Sequence, residues 1–164
     1  MSSKKILAYM SEELPTIPAQ KRLVYRTDEK EIRKLFKVLN ATIFNGELPT
    51  PRFRIIKRTT DYWGQCEADD FNPNPNTKRS NCIIHLSNKW YCKQWLIDSL
   101  AHEMCHQYQW DVLSKERAKQ GLPPIMSHGP SFYIFRDKLR EHGIPLKRYH
   151  RIHKWWKHQN LFKC

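Results

Sequence analysis

Leu100-Ala101-His102-Glu103-Met104-Cys105-His106 is the stretch on which the reading of this chain turns. It places His-Glu-x-x-His in a run with helical periodicity, where Trp95, Leu96, Leu100, Ala101, Met104, Cys105 and Tyr108 recur at that spacing. Neither Gly nor Pro interrupts the chain from Tyr91 to Lys119. Side chains four residues apart stand on one face of a helix, so His102 and His106 can grip a single metal ion. Glu103 is rotated off that axis, where a carboxylate can take a proton from a water acidified by the metal. A metal with a carboxylate beside it is the machinery of amide hydrolysis. The periodicity predicts one broad buried face with both histidines at its margin.

A catalytic zinc takes three protein ligands and keeps one position for water. The remaining histidines are His85, His128, His142, His150, His153 and His158. His128 is the strongest candidate, in Ser127-His128-Gly129-Pro130 ahead of a second helix-like run with Phe132, Phe135 and Leu139. Pro130 suits a first helical turn, and Gly143 with Pro145 marks the end. A helix-cap role for His128 is the competing reading. His85, between Ile84 and Leu86 in a strand-like run, reads as structural or supporting rather than as a ligand. Asp98, one turn before His102, could accept a hydrogen bond from a ligand imidazole; the alternative is a solvated helix aspartate. Tyr62 and Tyr133 are candidate donors to a developing oxyanion, and the sequence does not choose between them.

Upstream, Asp28 is a plausible N-cap with Glu31 three residues on, as in a capping box. Ile32, Leu35, Phe36, Leu39 and Ile43 form an apolar stripe, so a helix should reach about Phe44 and stop at Asn45-Gly46. Arg52 to Arg58 and Ser80 to Leu86 read as strands, Tyr62-Trp63-Gly64 as a turn and Asp69 to Asn76 as a loop. Gly121-Leu122-Pro123-Pro124 breaks the connection to the second helix, whose length predicts a flexible flap over Ser114 to Pro124. The expected organisation is a poorly ordered arm at 1–26, one α+β domain at 27–144 and a basic aromatic tail at 145–164. In that domain a small antiparallel sheet lies beside a helical core.

The chain has 164 residues and a formal net charge of +13. Such a field attracts polyanions at long range. The tail carries Lys147, Arg148, Arg151, Lys154 and Lys157 among Trp155 and Trp156, with no acid from Pro145 onward. Cations track phosphates and exposed aromatic faces stack on unpaired bases, so DNA, single-stranded or at junctions, is the expected partner. Core packing of the two tryptophans and general basicity are the competing readings. Five cysteines without regular spacing favour free thiols and a reducing compartment. No run approaches the roughly 18 apolar residues of a membrane span. The expectation is a soluble protein, cytoplasmic or nucleoid-associated (nuclear in a eukaryote), and not secreted.

Several ordered motifs go beyond His-Glu-x-x-His. They are Leu39-Asn40-Ala41-Thr42-Ile43-Phe44-Asn45-Gly46-Glu47-Leu48-Pro49, Gly64-Gln65-Cys66, Cys82-Ile83-Ile84-His85-Leu86-Ser87, the metal helix and His128-Gly129-Pro130-Ser131-Phe132. In that order they resemble the SprT-like (Spartan-type) zinc metalloproteases. The resemblance spans roughly Thr27 to Gly143. It implies a zincin-like helical core, one catalytic Zn²⁺ on His102, His106 and His128, and Glu103 as the catalytic carboxylate. It also implies action on proteins bound or crosslinked to DNA. Many relatives end in a zinc ribbon with paired cysteines. This chain has no Cys-x-x-Cys, although His150, His153 and Cys164 leave room for a second site.

The function expected is thus a DNA-associated zinc protease. One alternative is a zinc-stabilised DNA-binding protein with little catalysis. Another is a peptidase with no nucleic-acid role.

Overall fold

The computed structural model describes residues 23, 25–57, 63–68 and 73–148. Tyr25–Arg26 (β1) pairs antiparallel with Lys89–Trp90 (β5). The arm expected to end at residue 26 therefore already joins the domain through its last two residues.

Helix α1 spans Glu29–Thr42. Asp28 caps it, its carboxylate accepting from the Glu31 N–H at 2.8 Å. The reciprocal half of the capping box is replaced: the Glu31 carboxylate takes the hydroxyls of Tyr25 and Thr27 instead. Ile32, Phe36 and Leu39 face the core. Asn45 and Gly46 end the helix with φ of 57° and 74°. Asn40 then holds the exit, donating to the Leu48 carbonyl at 2.8 Å and accepting from the Leu48 N–H at 3.1 Å. That double bond gives the Asn…Leu-Pro motif its physical meaning.

Strands β2 (Arg52–Ile56), β3 (Gly64–Ala68) and β4 (Cys82–Ser87) form one sheet in the order β2-β4-β3. The sheet is mixed, not antiparallel as expected: β2 runs parallel to β4, and β3 antiparallel. Alternation along a strand reports which face is buried and carries no direction. Gly64, expected in a turn with Tyr62 and Trp63, instead begins β3, which takes in all of Gly64-Gln65-Cys66. Central β4 is buried at five of its six positions, the pattern of a strand covered on both faces.

Helix α2 (Lys93–Tyr108) carries the His-Glu-x-x-His motif. Every residue from Asp98 to Gln107 is buried, so the expectation of one apolar face with marginal histidines is corrected. The helix packs against β3, β4, β5 and α1, and polar side chains occupy part of each buried face. Helical structure continues without a break through a π-helical segment, Gln109–Ser114, into α3 (Lys115–Lys119).

The segment expected to be a loose flap is stitched down. Ser114 Oγ accepts from the Ile125 N–H at 2.8 Å, and Arg117 Nε donates to the Pro123 carbonyl at 2.7 Å. Lys115 is itself buried, its ammonium donating to the carbonyls of Thr77 and Arg79. A tight turn at Pro130–Tyr133, with Pro130 in the first position, leads to α4 (Arg136–Glu141). Among the described residues no helix is long and apolar enough to cross a membrane.

Candidate metal centre

Helical spacing brings His102 and His106 together, and the loop before the Pro130 turn delivers His128 to them. His128 Nε2 lies 3.1 Å from His106 Nε2 and 3.2 Å from His102 Nε2. Tetrahedral zinc with Zn–N bonds near 2.0–2.1 Å separates its nitrogens by about 3.3 Å. The three imidazoles thus already stand at ligand spacing, with their donor atoms within 4.8 Å of one another.

Phe132 explains the aromatic residue that follows the third histidine. Its ring, fully buried, contacts the imidazoles of His102, His106 and His128 at centroid distances of 4.8, 4.6 and 4.7 Å. It forms an apolar floor that limits how the rings can tilt. Burial pushes the His106 pKa down to about 4 and lowers that of His128, where the Arg148 charge adds to the effect. Both therefore stay in the neutral form a metal requires.

Glu103 is 5% exposed beside the cluster. Burial raises its pKa to about 8, against a hydrogen bond from the Cys66 backbone N–H. That bond anchors the carboxylate to β3. Gly64 leaves it room: a Cβ there would stand 3.1 Å from Glu103 Cγ and 3.2 Å from Oε1. The Gly-x-Cys motif therefore has two jobs at one carboxylate, close approach and a backbone donor.

The SprT-like family model matches residues 32–150, well over half of the chain. The chain belongs to the SprT-like family. No curated protein matches it. The SprT-like match takes in α1 from Ile32 onward, the β2-β4-β3 sheet, all three clustered histidines and Glu103.

Other residues singled out from the sequence fall elsewhere. His85 pairs with Glu67 at 2.9 Å on the sheet, and His142 accepts no role in the cluster, its Nδ1 meeting the Lys138 carbonyl at 2.9 Å. Asp98 is buried rather than solvated, yet its Oδ1 takes Gln94 Nε2 at 2.6 Å and its Oδ2 has no hydrogen-bond partner among the described residues. The bond to His102 allowed by spacing is therefore not made. Burial lifts the Asp98 pKa to about 7, opposed by the Gln94 bond and the Lys147 charge. Lys147 is half-buried beside Asp98, and Arg148 is exposed with its charge felt at His128. The Tyr133 ring stands edge-on to Phe132 at 5.0 Å. Tyr62, His150, His153, His158, Arg151, Lys154, Trp155, Trp156, Lys157 and Cys164 lie outside the described residues.

Cys66, Cys82 and Cys105 are free and buried, and Cys92 is disulfide-bonded. The sequence reading missed Gln109. Its side chain contacts His106 Nδ1 at 3.0 Å, and its only signal is a position one turn past the motif.

Proposed function

We propose that this SprT-like protein is a zinc-dependent peptidase acting on proteins bound or crosslinked to DNA. The observation that carries the reading is the convergence of three imidazoles, His128 Nε2 lying 3.1 and 3.2 Å from Nε2 of His106 and His102, with a buried carboxylate beside them. An all-imidazole set with three members suits zinc and leaves a fourth position for water or substrate. When bound, zinc would acidify a water and polarise a peptide carbonyl.

The chain's own groups supply the rest. A cation on the three imidazoles would favour the ionised form of Glu103 against the effect of burial; held by the Cys66 N–H, that carboxylate would take a proton from the attacking water and return it to the leaving amine. A purely structural zinc would close its fourth position and have no use for that carboxylate. Phe132 and the buried wall of α2 shield the His102 and His106 rings from bulk water, and His128 stays partly exposed.

Charge supports the DNA half of the reading. The net charge is +13, and Lys30, Arg33, Lys34 and Lys37 line the exposed face of α1, with Arg52 and Arg54 exposed on edge strand β2. Lys147 and Arg148 approach the metal helix and His128 through their charges. DNA held there would raise the local concentration of any protein attached to it, giving cleavage by proximity with weak sequence preference.

The test is cleavage of a DNA-bound protein with and without DNA, with chelator and Glu103→Gln as controls. The reading expects DNA-stimulated cleavage, abolished by chelator and lowered about 10²–10⁴-fold in Glu103→Gln. Cleavage that survives both controls would reject it. Cleavage indifferent to DNA would favour a peptidase without a nucleic-acid role. Tight, salt-sensitive DNA binding with zinc and no turnover would favour the zinc-stabilised DNA-binding protein.

A further inference from the structure

Gln109 opens the π-helical segment three residues past His106 and is fully buried. Its amide makes four hydrogen bonds. Nε2 donates to the Ser127 carbonyl and to Ser131 Oγ, each at 2.8 Å. Oε1 faces His106 Nδ1 at 3.0 Å and accepts from the Ser127 N–H at 3.3 Å.

The Ser127 pair settles which end of the amide is which. A backbone N–H can only donate and a carbonyl can only accept. Turning the amide over would set donor against donor and acceptor against acceptor. Oε1 is therefore the atom that meets His106. An amide oxygen only accepts, so the hydrogen in that contact belongs to His106 Nδ1. A neutral imidazole has one ring proton, which leaves Nε2 of His106 as a bare lone pair. That lone pair is the one 3.1 Å from His128 Nε2.

We infer that Gln109 is a positioning residue of the metal centre. It locks His106 into the tautomer whose Nε2 can ligate, and through the same amide it ties down the 127–131 loop that delivers His128. One side chain thus couples a ligand on α2 to a ligand on the loop after α3. The inference rests on the three-histidine metal site proposed above.

Two substitutions separate the functions of the amide. Gln109→Glu keeps an acceptor for His106 Nδ1 and for the Ser127 N–H, and loses the donor to the Ser127 carbonyl and to Ser131 Oγ. Gln109→Leu keeps similar bulk and loses both. The readouts are the His106 ring tautomer, from nitrogen NMR of the metal-free protein labelled at histidine, and zinc affinity by chelator competition.

Wild type is expected to show the Nδ1–H form at His106. Gln109→Leu should mix the tautomers and lose about 10–100-fold in zinc affinity, the usual effect of removing a group behind a metal ligand. Gln109→Glu should hold the Nδ1–H form and keep zinc affinity within about 10-fold of wild type. A Gln109→Leu protein with wild-type tautomer and affinity would overturn the inference, as would a Gln109→Glu protein impaired to the same degree. Should Gln109→Leu fail to fold, the wild-type tautomer and the glutamate variant still decide. An Nε2–H form at His106 in wild type would be fatal. Wild-type protein that takes up no zinc would instead sink the metal reading, leaving the tautomer result to stand by itself.

Discussion

Gly64→Ala adds one methyl group at the closest point between the sheet and the metal helix. Gly64 is paired across the β3–β4 ladder with Leu86, and it is not among the glycines with positive φ. Alanine is therefore allowed by the backbone, and the whole effect is steric. The new Cβ would lie 3.0 Å from Leu86 Cδ2 and 3.1 Å from Glu103 Cγ. Ordinary carbon contacts begin near 3.5 Å, so each neighbour must retreat by about half an ångström. Leu86 is fully buried, and Glu103 is tethered to the Cys66 N–H. Overpacking of this kind costs about 1–3 kcal/mol, offset by about 0.4–1 kcal/mol from the stiffer unfolded chain. A reacting group displaced by 1 Å can lose about 100-fold in rate, so half that shift predicts roughly a 10-fold fall in kcat/KM. The assay is urea unfolding of the metal-free protein alongside kcat/KM on a DNA-bound substrate. A second variant, Gly64→Ala with Leu86→Val, removes the Leu86 Cδ2 contact and leaves the one to Glu103. It should regain part of the stability and none of the rate. A Gly64→Ala protein with wild-type stability and wild-type kcat/KM would refute the close-approach argument.

Further expectations follow from other buried groups. Burial raises the Asp98 pKa from 3.8 to about 7, so the folded protein keeps a proton that the unfolded chain has released. Its contribution to stability is complete below about pH 4 and is lost as the pH rises to about 7. Asp98→Asn should flatten that decline in metal-free protein and gain at most about 4 kcal/mol on wild type above pH 7. Superimposable stability profiles from pH 4 to 8 would contradict it. Lys115→Met should cost about 3 kcal/mol in urea unfolding. It strips the donor from the Thr77 and Arg79 carbonyls and leaves Asp111 Oδ1 without the ammonium 3.8 Å away. An unchanged midpoint would mean that water replaces the ammonium there at little cost.

Much of the site was legible because helical spacing is rigid. His102 and His106 had to share a face, and Pro130 with Gly129 marked the turn that carries His128. The stripe from Ile32 to Ile43 likewise gave α1 and its cap. Legibility failed where partners are remote in sequence. Strand direction depends on the path between β2 and β4, which alternation in Arg52–Ile56 does not encode. The burial of α2 all round was hidden because Asp98, Glu103 and Gln107 look solvent-facing until their partners are placed. Gln107, for instance, donates to the Pro49 carbonyl and to Asp111. The Pro49 bond spans 58 positions and the Ser127 contacts of Gln109 span 18. Gly64 was visible as a motif, while its reason, a carboxylate from another element pressed against it, was not.

Anomalous diffraction at the zinc edge, on crystals of metal-loaded protein, locates the ion relative to the three imidazoles. One strong peak is expected about 2.0–2.1 Å from Nε2 of His102, His106 and His128, beside the Glu103 carboxylate. A peak elsewhere, or none while the three rings keep their places, would contradict the three-histidine metal site.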